Sequence, residues 1–194
     1  MWWEVPHRDN LPRAADYIIC LTMGATESGL SAASNFLVDE TLRLQAEHYP
    51  NAVILYTAYA FSQTPEIEES EKKKRISRGR YMGRVNNAVH EANALMKGVV
   101  YHLFPPVIVV VTDAWLSRSI LLAIESRLRA QGRVARVAYV LVPTESIVPS
   151  DGPIKALHNY RMWVFSNLVR HCTMICPGGK WLLLNKGFHQ PVTK

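Results

Sequence analysis

VIVVVTDAWLSR, residues Val107 to Arg118, carries the clearest fold signal in this sequence. Five consecutive β-branched residues, Val107 to Val111, form an unbroken apolar run. A strand with one wet face would alternate polar and apolar side chains, so this run predicts a strand covered on both sides. It ends in Thr112 and Asp113, and a helical pattern (Ile120, Leu121, Ile124, Leu128) follows, closed by Gly132. Strand, short polar turn and helix make up the repeating unit of a parallel α/β sheet, whose ligands sit beyond the carboxyl ends of the strands. A site is therefore expected at Thr112, Asp113, Trp115 and Arg118, and at equivalent turns elsewhere.

Working outward, three more runs share this character. Asp16 to Met23 (DYIICLTM), Ala52 to Tyr56 (AVILY) and Ala135 to Val142 (ARVAYVLV) all predict buried strands. Between the first two lies a small-residue turn, Gly24 to Gly29, then a helix from about Ser31 to His48 that Ser31 or Ser34 could cap. Glu66 to Arg80 is strongly charged, with Glu68–Lys72, Glu69–Lys73 and Glu71–Arg75 spaced as i,i+4 pairs, and this predicts a solvent-exposed helix, a candidate cover for the site. A stripe of Val85, Ala88, Val89, Ala92, Leu95 and Met96 predicts the next helix, ended by Gly98. Pro143 to Pro153 reads as a loop, and Pro153 opens a last helix with Ile154, Leu157, Val164, Leu168 and Val169 on its buried face. The expected fold is a three-layer α/β/α, Rossmann-like, mostly parallel sheet of about four to five strands. Residues 1–15 read as an irregular lead-in, 16–172 as the α/β domain and 173–194 as a tail.

Composition narrows the function classes. The chain has 194 residues, 48% hydrophobic and 20% charged, values of a globular domain with a substantial core. Its net charge of +6 favours anionic ligands. No basic stripe with interleaved aromatics appears, so nucleic acid is not an expected partner. Cys20 falls inside a predicted strand as a small core residue, while Cys172 and Cys176 lack the second ligand pair that structural zinc needs. No metal is expected. Met1 to Val5, interrupted by Glu4, does not resemble a signal peptide, and no run reaches the roughly 18 apolar residues of a membrane span. A cytoplasmic setting is the expectation, with a membrane surface as a weaker one.

The turn at Gly24 to Gly29 is neither a dinucleotide fingerprint nor a phosphate loop, because it lacks G-x-G-x-x-G and carries no lysine. Its glycines nonetheless let backbone approach a ligand. No G-x-S-x-G elbow occurs, which argues against a covalent serine mechanism.

The order of motifs resembles the YdcF-like (SanA/ElyC-like) family, domain of unknown function 218. The likeness is carried by IICLTMG at the first strand, Ser70-Glu71, Arg84-Val85-Asn86-Asn87-Ala88, VVVTDAWLSR and the closing helix with Trp163. Two departures stand out: Ala58-Tyr59-Ala60 where the family has adjacent glycines, and Leu116 where it often has a histidine. The resemblance implies a nucleotide-binding-like α/β fold and a link to bacterial envelope polysaccharide metabolism. With it, the expected ligand is a small phosphorylated or nucleotide-like anion, and no cofactor is indicated. Asp113 or Glu71 would serve as general base, and Arg118 would grip an oxyanion unless it simply pairs with Asp113. Thr22, Gly24, Thr26, Ser62, Asn86 and Asn87 would line the site, and Trp115 or Tyr59 would stack on a ring. The alternatives are a non-catalytic interaction protein that has lost the family's site, and a membrane-surface protein acting on lipid-linked sugars.

Overall fold

A computed structural model describes residues 11–21, 23–60, 64–86, 88–112 and 114–142, with Arg161, Phe165, Leu168, Val169, Cys172 and Cys176; residues 88 and 114–119 are described as backbone. The chain runs β1 (Tyr17–Cys20), β2 (Ala25–Thr26), β3 (Gly29–Leu30), α1 (Ala32–Glu47), β4 (Val53–Tyr59), α2 (Pro65–Arg75), β5 (Arg80–Val85), α3 (Ala88–Gly98), β6 (Val107–Thr112), α4 (Ala114–Ala130) and β7 (Arg136–Leu141). Five strands form one parallel sheet in the order β5-β4-β1-β6-β7, and β2 and β3 form a separate antiparallel ribbon.

Three of the four apolar runs, at β4, β1 and β6, occupy the centre of this sheet, and the fourth, β7, lies at its edge among the described residues. All four residues of β1 are buried, as are Ile108 to Thr112 of β6, because helices cover both faces. α1 packs on β1 and β6, and Arg75 of α2 reaches across to α1, donating from Nη1 to Asn35 Oδ1 at 2.7 Å and pairing with Asp39. On the opposite face α3 packs against α4. Ser31 caps α1 as expected, accepting from the Ser34 N–H at 3.2 Å.

Several expectations need correction. The charged helix ends at Arg75, and β5 begins at Arg80 where helix was expected. Val85, assigned to a helical stripe, is the last residue of β5, so that stripe begins at Ala88. β5 is an edge strand: Tyr56 pairs with Tyr81 but Ala58 pairs with Arg84, so β5 carries one extra residue there. Gly83, at φ 101°, supplies the left-handed backbone at this bulge. Glu71 pairs with Lys74 rather than with Arg75. Leu168 and Val169, expected to be buried, are each 47% exposed. Ile154, Leu157 and Val164 lie outside the described residues.

Candidate functional site

Sheet register gathers the outgoing turns along one rim. Cys20 pairs with Tyr56 on one side and with Val111 on the other, which sets Leu21 level with Thr57 and Thr112. From β1 the chain continues to β4 and β5 on one side; β6 and β7 lie on the other, so strand order reverses between β1 and β6. In open α/β sheets the crevice at such a reversal is where ligands settle. α4 starts at Ala114, two residues beyond the end of β6, so its N-terminus lies at this rim.

The turn after β1 is held tightly. Gly24 has φ 86°, a conformation glycine adopts without strain. Its carbonyl accepts from the Ser34 hydroxyl at 2.7 Å and from the Ser31 N–H at 3.3 Å, and the Ser31 hydroxyl donates to the Met23 carbonyl at 3.2 Å. The ribbon that follows is tied to the next helix by the Thr64 hydroxyl, which donates to the Thr26 carbonyl at 2.8 Å.

Beneath this turn lies a polar cluster that sequence reasoning missed. Glu68 and Lys72, one turn apart on α2, are both fully buried, with Nζ to Oε1 at 2.8 Å. Glu68 also accepts from the Gly24 N–H at 3.3 Å through Oε1 and from the Tyr59 N–H at 2.7 Å through Oε2. Lys72 donates to the Thr57 carbonyl at 3.0 Å and the Leu21 carbonyl at 3.3 Å. On the far side of β4, the Thr57 hydroxyl donates to Glu91 Oε1 of α3 at 2.8 Å. Burial by itself would lower the Lys72 ammonium, but Glu68 and its neighbours outweigh this and hold it above the ordinary lysine range. A charged ammonium bonded to three oxygens is not a proton acceptor. The cluster instead pins the ends of β1 and β4 to α2. Cys20 sits beside it, its thiol pushed up by burial.

A signal for this cluster was present. α2 spans 11 residues, PEIEESEKKKR, with one aliphatic side chain, Ile67, beyond the opening proline. A helix lying on a sheet must bury a face, and here charged groups had to supply most of it.

The expected site residues distribute unevenly. Tyr59 ends β4, Asn86 follows β5 and Gly24 lies in the turn after β1, which puts them at the carboxyl rim, while Thr26 belongs to the separate β2–β3 ribbon that leaves this turn. The Gly24 N–H, expected to face a ligand, is engaged by Glu68. Glu71 sits away from the crevice, paired with Lys74 at 2.6 Å on the exposed side of α2. Thr22, Ser62, Asn87 and Asp113 lie outside the described residues, as do the side chains of Trp115 and Arg118, whose backbone belongs to the first turns of α4.

The outer side of α2 carries two shallow open depressions of about 530 and 590 Å³, which share Glu66, Ser70 and Lys74. Their walls are surface ion pairs such as Arg84 with Glu66 and Glu69. Among the described residues no three of His, Cys, Asp or Glu come together as a metal site, and no helix is long and apolar enough to cross a membrane. Comparisons with protein-family models, with curated proteins and with solved structures gave no match to this chain.

Proposed function

We propose that this protein is a divergent YdcF-like domain that binds a small phosphorylated or nucleotide-like compound at the carboxyl rim of its sheet, between the turns that leave β1 and β6. The observation that carries this reading is the reversal of strand order between those two strands. Support comes also from the start of α4 at the same rim, where helix N–H groups favour an anion, and from the chain's net charge of +6. In this reading Arg118 grips the oxyanion, Asp113 is the general base, and Trp115 or Tyr59 stacks on a ring. Glu71 is the weaker candidate for the base, because its carboxylate is paired with Lys74 on the outside of α2. The reaction would belong to envelope polysaccharide metabolism.

One observation favours a second reading, a non-catalytic interaction protein. Glu68 occupies two rim N–H groups, at Gly24 and Tyr59, so an internal carboxylate stands where a ligand anion would compete. A thermal-shift panel of nucleotides and sugar phosphates separates the two. The first reading expects at least one compound to raise Tm in the parent, and Arg118→Ala and Asp113→Asn to abolish the shift while leaving the unliganded Tm in place. No shift from any compound would reject it in favour of the second.

A further inference from the structure

At the opposite end of the sheet, the amino rim, the connection from α3 to β6 reads Val99-Val100-Tyr101-His102-Leu103-Phe104-Pro105-Pro106. Leu103 is 99% exposed and Phe104 82% exposed, and Val134, in the neighbouring connection from α4 to β7, is 67% exposed. Single exposed apolar residues are ordinary, but adjacent bulky ones at a protruding tip require a reason. Two features present the tip firmly. Pro105 and Pro106 restrict the chain behind it, and the Pro106 carbonyl accepts from the Arg136 N–H at 2.8 Å. Tyr101, in front of it, lies under the Arg133 guanidinium at 4.4 Å.

Basic residues flank this connection. Lys97 lies in the last turn of α3, Arg133 stands over Tyr101, and Arg136 opens β7; all three are exposed, and among the described residues none is paired with a carboxylate. Asp16, at the same rim, accepts from the Val107 N–H at 2.7 Å, and Glu125 pairs with Arg129. Adjacent exposed apolar side chains flanked by exposed cations are the combination that enters the headgroup boundary of a bilayer: Leu and Phe reach acyl chains while the cations stay with anionic headgroups. A nucleic acid would use the cations and Phe104 but gain little from Leu103 and Val134, and a protruding tip does not complement a second copy of itself.

We infer that the 99–106 loop is a membrane-surface contact that inserts Leu103 and Phe104 into anionic bilayers, with Lys97, Arg133 and Arg136 against the headgroups. This surface is independent of the proposed ligand site and would turn the carboxyl rim toward water. The test is co-sedimentation of the full chain with phosphatidylcholine vesicles, with and without phosphatidylglycerol, at low and high salt. Binding should require the anionic lipid and weaken as salt rises. Leu103→Ser with Phe104→Ser should reduce binding by about tenfold or more, with unchanged circular dichroism. Lys97→Gln and Arg136→Gln should each reduce it roughly fivefold. The inference is overturned if the parent does not bind, if it binds neutral vesicles equally, or if the Leu103/Phe104 variant binds like the parent. It is equally overturned if those substitutions change only the oligomeric state.

Discussion

Helix α2 carries two glutamate–lysine pairs of the same spacing, one residue out of phase. Glu69–Lys73 has its partners 22% and 49% exposed, whereas Glu68–Lys72 has both at zero. In sequence they are indistinguishable, and both satisfy the i,i+4 rule for a solvated helix. Rotation of the helix by one residue separates them: one faces water, and the other lies across the ends of β1 and β4, bonded to main chain at Leu21, Gly24, Thr57 and Tyr59. The outer pair is an accessory of the helix. The inner pair is part of the wall that shapes the rim. A buried ion pair is costly to assemble but far more costly to break, because the surviving charge loses its partner inside the protein.

The sharpest way to break this contrast is to remove one inner partner. Glu68→Ala or Lys72→Ala should each cost about 3–5 kcal/mol of folding free energy, read from urea midpoints. Joint replacement, Glu68→Leu with Lys72→Met, should recover only part of that loss, because it strands no charge but leaves the main-chain groups of Leu21, Gly24, Thr57 and Tyr59 without these partners. If the double variant is as stable as the parent, the cluster merely balances its own charges and does not hold the rim.

The outer pair should respond weakly. Glu69→Ala should cost about 0.2–1 kcal/mol, and added salt should shrink that difference while leaving the inner-pair penalty nearly unchanged. Lys73, with the Tyr81 hydroxyl and Arg84, holds the Glu69 carboxyl below its ordinary range. Its contribution is therefore present above the ordinary carboxylate pKa near ~4.3 and is lost as pH falls through the lowered folded value. The stability gap between parent and Glu69→Gln should narrow in acid and be flat from neutral pH upward. The smallest effect is kinetic. Cys20, buried beside the inner pair with its thiol pushed up, should resist alkylation in the parent and in outer-pair variants, and react faster once the inner pair is broken. Cys172 and Cys176, both exposed, should label at once in every variant.

The same contrast explains what was legible in the letters. Continuous apolar runs such as Val107 to Val111 announce strands buried on two faces, and four of the five sheet strands were found that way. β5 shows no such run: RYMGRV carries two arginines, which suit an exposed edge, and a glycine that bulges it, whereas β7, the other edge strand among the described residues, keeps its apolar run. The β2–β3 ribbon, with two residues per strand, is too short to show a period. The rim itself followed from the parallel sheet, and with it the positions of Gly24, Tyr59 and Asn86. The engagement of the Gly24 and Tyr59 N–H groups by Glu68 did not, since it depends on which face of α2 meets the sheet, and α2 has no apolar stripe to reveal that.

Backbone amide exchange, followed with the nucleotide or sugar phosphate that raises Tm most, tests the central claim most directly. A ligand seated at the reversal of strand order should slow exchange at residues 21–26 and 112–118 together, leaving 66–74 unchanged. Protection confined to 66–74, the outer side of α2, or absent from both rim turns would contradict it.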